Sequence, residues 1–180
     1  MKFYVFLVLF ESIVCDKCGG DWWSYFKDTN ACYMIAGPTN FEKGQQLCST
    51  VDAKMASIHS EKENNFIVEM AKINQTLIGA LPLDRITILL GGKRKDGKFQ
   101  WLDGTPFDFE HWAAGEPNNW KDSGDRMDDV NEDCMALYTE KTIYGEGDQE
   151  IHLPEPYLGR WNDNLCDQRY RGVVCKKTLA

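Results

Sequence analysis

Apolar and polar positions in this chain fall into short blocks. The first block is an unbroken apolar run, Phe3-Tyr4-Val5-Phe6-Leu7-Val8-Leu9-Phe10, that follows Lys2 and stops at Glu11. It is shorter than the roughly 20 residues a membrane span needs, and it has the basic start of a secretory signal. Residues 1–15 are therefore read as that signal and 16–180 as one mature, secreted, extracellular domain. Two aromatic stretches, 22–26 and 32–35, flank a Lys27-Asp28-Thr29-Asn30 turn and predict paired strands. Thr39 or Asn40 caps a helix reaching about Thr50, with Phe41, Leu47 and Cys48 inward. Ser60-Glu61-Lys62-Glu63 has the form of a capping box, in which hydroxyl and carboxylate satisfy each other's free backbone donors. It opens a second helix with Phe66, Ile67, Met70 and Ile73 at helical spacing. Residues 86–90 read as a buried strand. Asp96-Gly97 turns into Phe99-Gln100-Trp101 as a hairpin, and 134–138 and 173–175 predict two further strands. Helices come early and strands late, which gives an α+β class. Residues 110–133 and 140–160 show no period and carry many Gly and Pro; loops of that length in a compact domain are usually functional or disordered.

The composition narrows what the domain does. With 180 residues, 43% of them hydrophobic, the chain can bury a real core. A net charge of -8 argues against nucleic acid and anionic membranes as partners and suits a protein that collects cations. Seven cysteines are present: Cys15, Cys18, Cys32, Cys48, Cys134, Cys166 and Cys175. Cleavage after Cys15 leaves six, enough for three bridges; earlier cleavage leaves Cys15 free or paired with another chain. Cys15-Asp16-Lys17-Cys18 has no second CxxC to complete a metal site. His59, His111 and His152 are scattered, and His111 beside Trp112 reads as packed. Gly-x-Ser-x-Gly, His-Glu-x-x-His and phosphate-loop patterns do not occur, so no enzyme is expected. Asn74-Gln75-Thr76 is an N-glycosylation acceptor. Asp122, Asp125, Asp128 and Asp129 lack the EF-hand pattern and read as a solvated loop. No coiled-coil neck encodes an oligomer.

The chemistry concentrates in three pieces: Glu116-Pro117-Asn118, Glu132-Asp133-Cys134 and Trp161-Asn162-Asp163. They offer oxygens from Glu116, Asn118, Glu132, Asn162 and Asp163. A hard cation such as calcium takes about six to eight oxygens, so positions stay open for a ligand's hydroxyls. Three carboxylates oppose the ion's charge, and two amides add neutral carbonyl oxygens while keeping an NH2 to donate outward.

In this order, and followed by two further cysteines, the three pieces resemble the C-type lectin domain family in its long form, over Cys18 to Cys175. The resemblance implies that family's fold: two helices, short antiparallel sheets and a long calcium-binding loop. It also implies the pairs Cys18–Cys32, Cys48–Cys175 and Cys134–Cys166, and a cis bond before Pro117. It implies Ca2+ held by Glu116, Asn118, Glu132, Asn162 and Asp163, with sugar hydroxyls on the same residues. The Glu-Pro-Asn order implies mannose-type sugars (mannose, GlcNAc, fucose). Trp120 stands where galactose-binding members stack a Trp on the sugar, or else it packs the loop. The alternatives are a galactose preference, or a protein- or mineral-binding member without sugar. In place of the family's usual Trp-Ile-Gly-Leu the chain has Leu89-Leu90-Gly91-Gly92, and both loops are longer than in mannose-binding members. An auxiliary calcium site at Glu132 and Asp133 is not expected, because Asn119 replaces a common Asp and residues 92–97 are basic at Lys93, Arg94 and Lys95.

Overall fold

The computed structural model describes residues 17–72, 87–119, 131–140, 143–144, 150–151 and 157–180. The signal at 1–15, Cys15, Ile73, Asn74, Ile86, Trp120, the acids at 122–129 and His152 lie outside them.

β1 (Ser24–Phe26) and β2 (Ala31–Ala36) form the expected hairpin around a 3-10 turn at Lys27–Thr29. α1 spans Phe41–Thr50 and is capped by Asn40, whose side chain accepts from the Lys43 N–H at 3.0 Å. β3 (Lys54–Met55) leads to α2 (Glu61–Ala71). Then come β4 (Thr87–Lys95), β5 (Lys98–Trp101), β6 (Cys134–Tyr138), β7 (Ile143–Tyr144), β8 (Glu150–Ile151), β9 (Trp161–Asn164) and β10 (Val173–Thr178). Eight strands form one sheet in the order β1-β2-β10-β4-β6-β9, with β3 beside β10 and β5 beside β4; β7 and β8 pair separately. The sheet is mixed rather than purely antiparallel, since β10 meets β4 in parallel at Val173 and Leu89.

Period-two alternation splits the core between the two sheet faces. Ile88, Leu90 and Val174 face α2 residues Ile67, Val68 and Ala71. Leu89, Val173 and Cys175 face α1 residues Phe41 and Cys48. Gly91 is required where β4 crosses β3: a Cβ there would lie 2.6 Å from the Met55 carbonyl oxygen. Disulfides join Cys18–Cys32, Cys48–Cys175 and Cys134–Cys166, matching the implied pairs.

Two local expectations are corrected. Leu47 is not inward but 37% exposed, because Gly44 and Cys48 make the contact with the sheet. A Cβ on Gly44 would sit 3.2 Å from Val173, so the helix lies close there and carries Leu47 to its outer side. The capping box is half formed: Ser60 Oγ accepts from the Glu63 N–H at 3.2 Å, but Glu63 does not return to Ser60. Its buried carboxylate accepts from the His59 N–H at 2.8 Å, Tyr33 Oη–H at 2.5 Å and Lys176 Nζ at 2.6 Å. Burial and the adjoining Glu63 charge push the Tyr33 hydroxyl's pKa upward, so it stays a donor.

This network ties α2 to β2 and β10, and its charges are sequestered. Glu63→Ala leaves Lys176 almost buried without its partner and should cost about 3–5 kcal/mol in denaturant unfolding. A loss below about 1 kcal/mol, the size of an exposed pair, would contradict this reading.

Candidate functional site

The site begins with the burial of Trp161. Its side chain is inaccessible, packs edge-on against Trp101, Phe107, Phe109 and Trp112, and donates Nε1–H to Asn64 Oδ1 at 2.8 Å. Its backbone takes the segment 111–113 as a short parallel partner: Trp161 N–H donates to His111 O at 2.8 Å and Ala113 N–H to Trp161 O at 2.9 Å. Glu116 N–H turns back to Ala113 O at 3.0 Å, and the following peptide bond, Glu116–Pro117, is cis as implied. Two segments more than forty residues apart in sequence thus bring Glu116-Pro117-Asn118 alongside Trp161-Asn162-Asp163.

Asp163 is fully buried and is the centre of the cluster. Its Oδ1 accepts from the Asn118 N–H at 3.0 Å. Its Oδ2 accepts from the Asn119 N–H at 2.8 Å and from Arg94 Nη2 in a short ion pair. Asn118 also donates to Glu116, from its backbone N–H to Oε2 at 3.1 Å and from Nδ2 to Oε1 at 3.0 Å. Asn119, left-handed at φ 47, accepts the Glu132 N–H on Oδ1 at 2.9 Å and so draws in the third piece. Cys134, bridged to Cys166, fixes that piece beside β9, where Cys134 pairs with Asn164 and Met135 with Asp163.

The electrostatics register the convergence. Burial pushes the Glu116 carboxyl up to about 7, helped by a carboxyl–carboxylate contact with Asp163 and by the Glu132 charge, against the Asn118 N–H. Burial also raises Tyr138, with Glu116, Tyr157, Glu132 and Asp163 adding to it. Asn162 Oδ1 is buried without a hydrogen-bond partner among the described residues.

These features fit a hard cation. Asn162 Oδ1 is an unspent acceptor, and Asn118, having turned Nδ2 to Glu116, has its carbonyl oxygen left over. No group of three or more acid, histidine or cysteine side chains converges as a metal cluster on its own among the described residues. The set depends on its two amides, and the acids are partly engaged by N–H donors.

Of the six residues expected at the site, the structure gathers Glu116, Asn118, Glu132 and Asp163 by direct bonds or charge, and sets Asn162 next to Asp163 on β9. Trp120 lies outside the described residues. Asn119 and Arg94 were missed as site residues. In the sequence Asn119 stands as a replaced acid, whereas in the fold its amide bridges two of the three pieces. Arg94 reads as a basic residue unsuited to calcium, and its one signal is its place four positions after an aliphatic run, near the end of β4. His111 packs on Phe109, with ring centroids 5.7 Å apart, and burial lowers its pKa.

The sequence profile of the lectin C-type domain matches residues 37–177. The chain is 26% identical over 168 residues to the human low affinity immunoglobulin epsilon Fc receptor, covering 93% of this chain and 40% of that protein. It is 31% identical over 147 residues to human C-type mannose receptor 2, covering 81% of this chain and 8% of the receptor. A lectin of Pleurodeles waltl is 28% identical and is covered over 83% of its length. The chain therefore spans about two-fifths of the length of the first of these curated relatives, or less. Among solved structures, the mouse scavenger receptor C-type lectin carbohydrate-recognition domain superposes with a TM-score of 0.62 at 25% identity, covering 89% of this chain and 98% of that one. The cow CD23 C-type carbohydrate-recognition domain, solved in the presence of GlcNAc2Man3 oligosaccharide, gives 0.62 at 22% identity, covering 89% and 96%. A calcium-independent type II antifreeze protein gives 0.60 at 18%, covering 88% and 93%.

A carboxyl raised to about 7 binds its proton more tightly folded than unfolded. Metal-free stability due to Glu116 is then present below the ordinary carboxylate range and lost as pH rises from about 4.5 through 7. Thermal melts in chelator should show wild type falling relative to Glu116→Gln across that window. Parallel curves would refute the assignment.

Proposed function

We propose that this chain, which belongs to the lectin C-type domain family, is an extracellular lectin that binds mannose-type sugars through one calcium ion held by Glu116, Asn118, Glu132, Asn162 and Asp163. The observation that carries this is the meeting of Glu116-Pro117-Asn118 with Asp163 beside the unspent oxygen of Asn162. Calcium, when bound, supplies the positive charge that offsets the three crowded carboxylates and attracts sugar hydroxyls. The chain's own atoms supply the rest. A carboxylate oxygen of Glu116 accepts a hydroxyl proton, and the Asn118 NH2, released from Glu116, donates to the oxygen of that hydroxyl. A hydroxyl engaged in this way keeps no unmet hydrogen-bonding capacity, which lets a shallow surface hold a strongly hydrated ligand. The order of acid then amide sets the hydroxyl geometry, and in this family it goes with mannose-type rather than galactose-type sugars. The GlcNAc2Man3 oligosaccharide present with the cow CD23 domain is consistent with this class.

Binding is the whole function on this reading, without chemical conversion. Three disulfides suit the oxidising environment outside the cell. No helix among the described residues is long and apolar enough to cross a membrane. A second reading, a calcium-free binder of protein or mineral, draws on Asp163 already accepting three N–H donors and on the likeness to the antifreeze fold.

Retention on immobilised mannose in calcium, with elution by chelator, separates the two; retention that ignores chelator would sink the calcium reading. Half-saturation is expected at about 10⁻⁴ to 10⁻³ M calcium, the range of extracellular sites. The double exchange Glu116→Gln with Asn118→Asp should move preference from mannose toward galactose on a glycan array. An unchanged preference would show that the order of acid and amide does not govern the choice.

A further inference from the structure

Arg94 is the one strongly basic side chain in contact with the acid cluster among the described residues, and its side chain is only 18% exposed. Its Nη2 pairs with Asp163 Oδ2 and reaches the Glu132 carbonyl at 3.3 Å. Its Nε lies 3.4 Å from Asp133 Oδ1, and the guanidinium carbon lies 4.6 Å from the centre of the Phe99 ring. The Arg94 backbone N–H donates to Asp133 O at 2.7 Å, so main chain and side chain hold the same turn. One residue of β4 therefore grips both β9 and the turn that precedes β6.

We propose that Arg94 is a positioning residue, an internal cation that sets the 116–119 loop before any added ion arrives. This rests on the calcium reading above only in what the positioned loop is for. Asp163 is fully buried, and a buried carboxylate must be compensated. Without Arg94 it would keep the two N–H groups of Asn118 and Asn119 while facing the charges of Glu116 and Glu132. Those N–H groups are the loop's attachment to β9, so weakening Asp163's position weakens the loop. The guanidinium bonds to Oδ2 and leaves Oδ1 to the Asn118 N–H, so it supports the carboxylate without displacing the loop's own donor. Asp133, Asp163 and the Glu132 carbonyl thus share one fixed positive charge that belongs to the chain itself. A loop already ordered adds no ordering cost to ligand binding.

Residue-resolved hydrogen exchange tests the idea. In excess chelator, the wild-type amides of Asn118 and Asn119 should be protected. Arg94→Gln should speed both at least ten-fold, with Leu89 and Ala56 amides in the core unchanged, and calcium should close the gap. Arg94→Lys, which keeps the charge but not the span to Glu132, should fall between, and it carries the comparison if the glutamine variant does not fold. Three results would each overturn the proposal: free exchange of the two amides in metal-free wild type, no change in the variants, or equal acceleration in the core. Calcium titration calorimetry on wild type is the separate arm. Absence of binding there refutes the calcium reading and leaves the chelator comparison to decide Arg94's role.

Discussion

A carboxylate removed from water has to find donors nearby, and this domain places Asp163 where they come from separate parts of the chain. The loop at 118–119 contributes two backbone N–H groups and β4 contributes Arg94. The position of Asp163 is fixed by the residue two before it, since Trp161 fills the aromatic core and is pinned by Asn64 of α2. Alternation along β9 buries Trp161 and Asp163 alike, with Asn162 half-buried between them and its Oδ1 without a partner among the described residues. Helix, sheet and loop are joined at the residues that bear the chemistry.

The same arrangement accounts for the mixture of amides and acids. An all-carboxylate pocket at this burial would repel itself; burial first, and then Asp163 and Glu132, already push Glu116 up to about 7. On the calcium reading, amide oxygens would supply coordination without adding charge, while their NH2 groups stay available as directional donors. The fold itself does not require this outcome: neighbours of similar shape include a carbohydrate-recognition domain, a calcium-independent antifreeze protein and lithostathine. What a domain of this fold binds is therefore decided by its side chains and not by the sheet that carries them.

Much of this was legible from residue order. The capped helices, the β4–β5 hairpin and the strand at 134–138 follow from period and turn chemistry, which are local. Less legible was whatever depends on contact between distant segments. β9 begins with Trp-Asn-Asp, too short and too polar to predict an element, yet it is a strand because β6 and residues 111–113 flank it. β3 and the β7–β8 pair are two residues long per strand, too short for any period to register. Leu47 is apolar but six residues after Phe41, off the face that Phe41, Gly44 and Cys48 turn to the sheet, so it lies to the outside. Glu63 has the spacing of a capping box, but the buried Lys176, 113 residues away, is the stronger partner. Arg94 is a basic residue in an acidic site, and its place becomes intelligible only once Asp163 is seen to be buried.

β10 lies directly against β2, with Thr178 opposite Ala31 and Val173 opposite Ala36, while β9 stands at the far edge of the sheet. Tension entering through β1 and leaving through β10 would meet the β2–β10 ladder end-on and peel it one rung at a time. Only the rungs at Thr178, Lys177 and Lys176 lie ahead of Cys175, where the bond to Cys48 passes the load on β10 into α1. The Asp163 cluster, at the opposite edge of the sheet, lies outside that line of force.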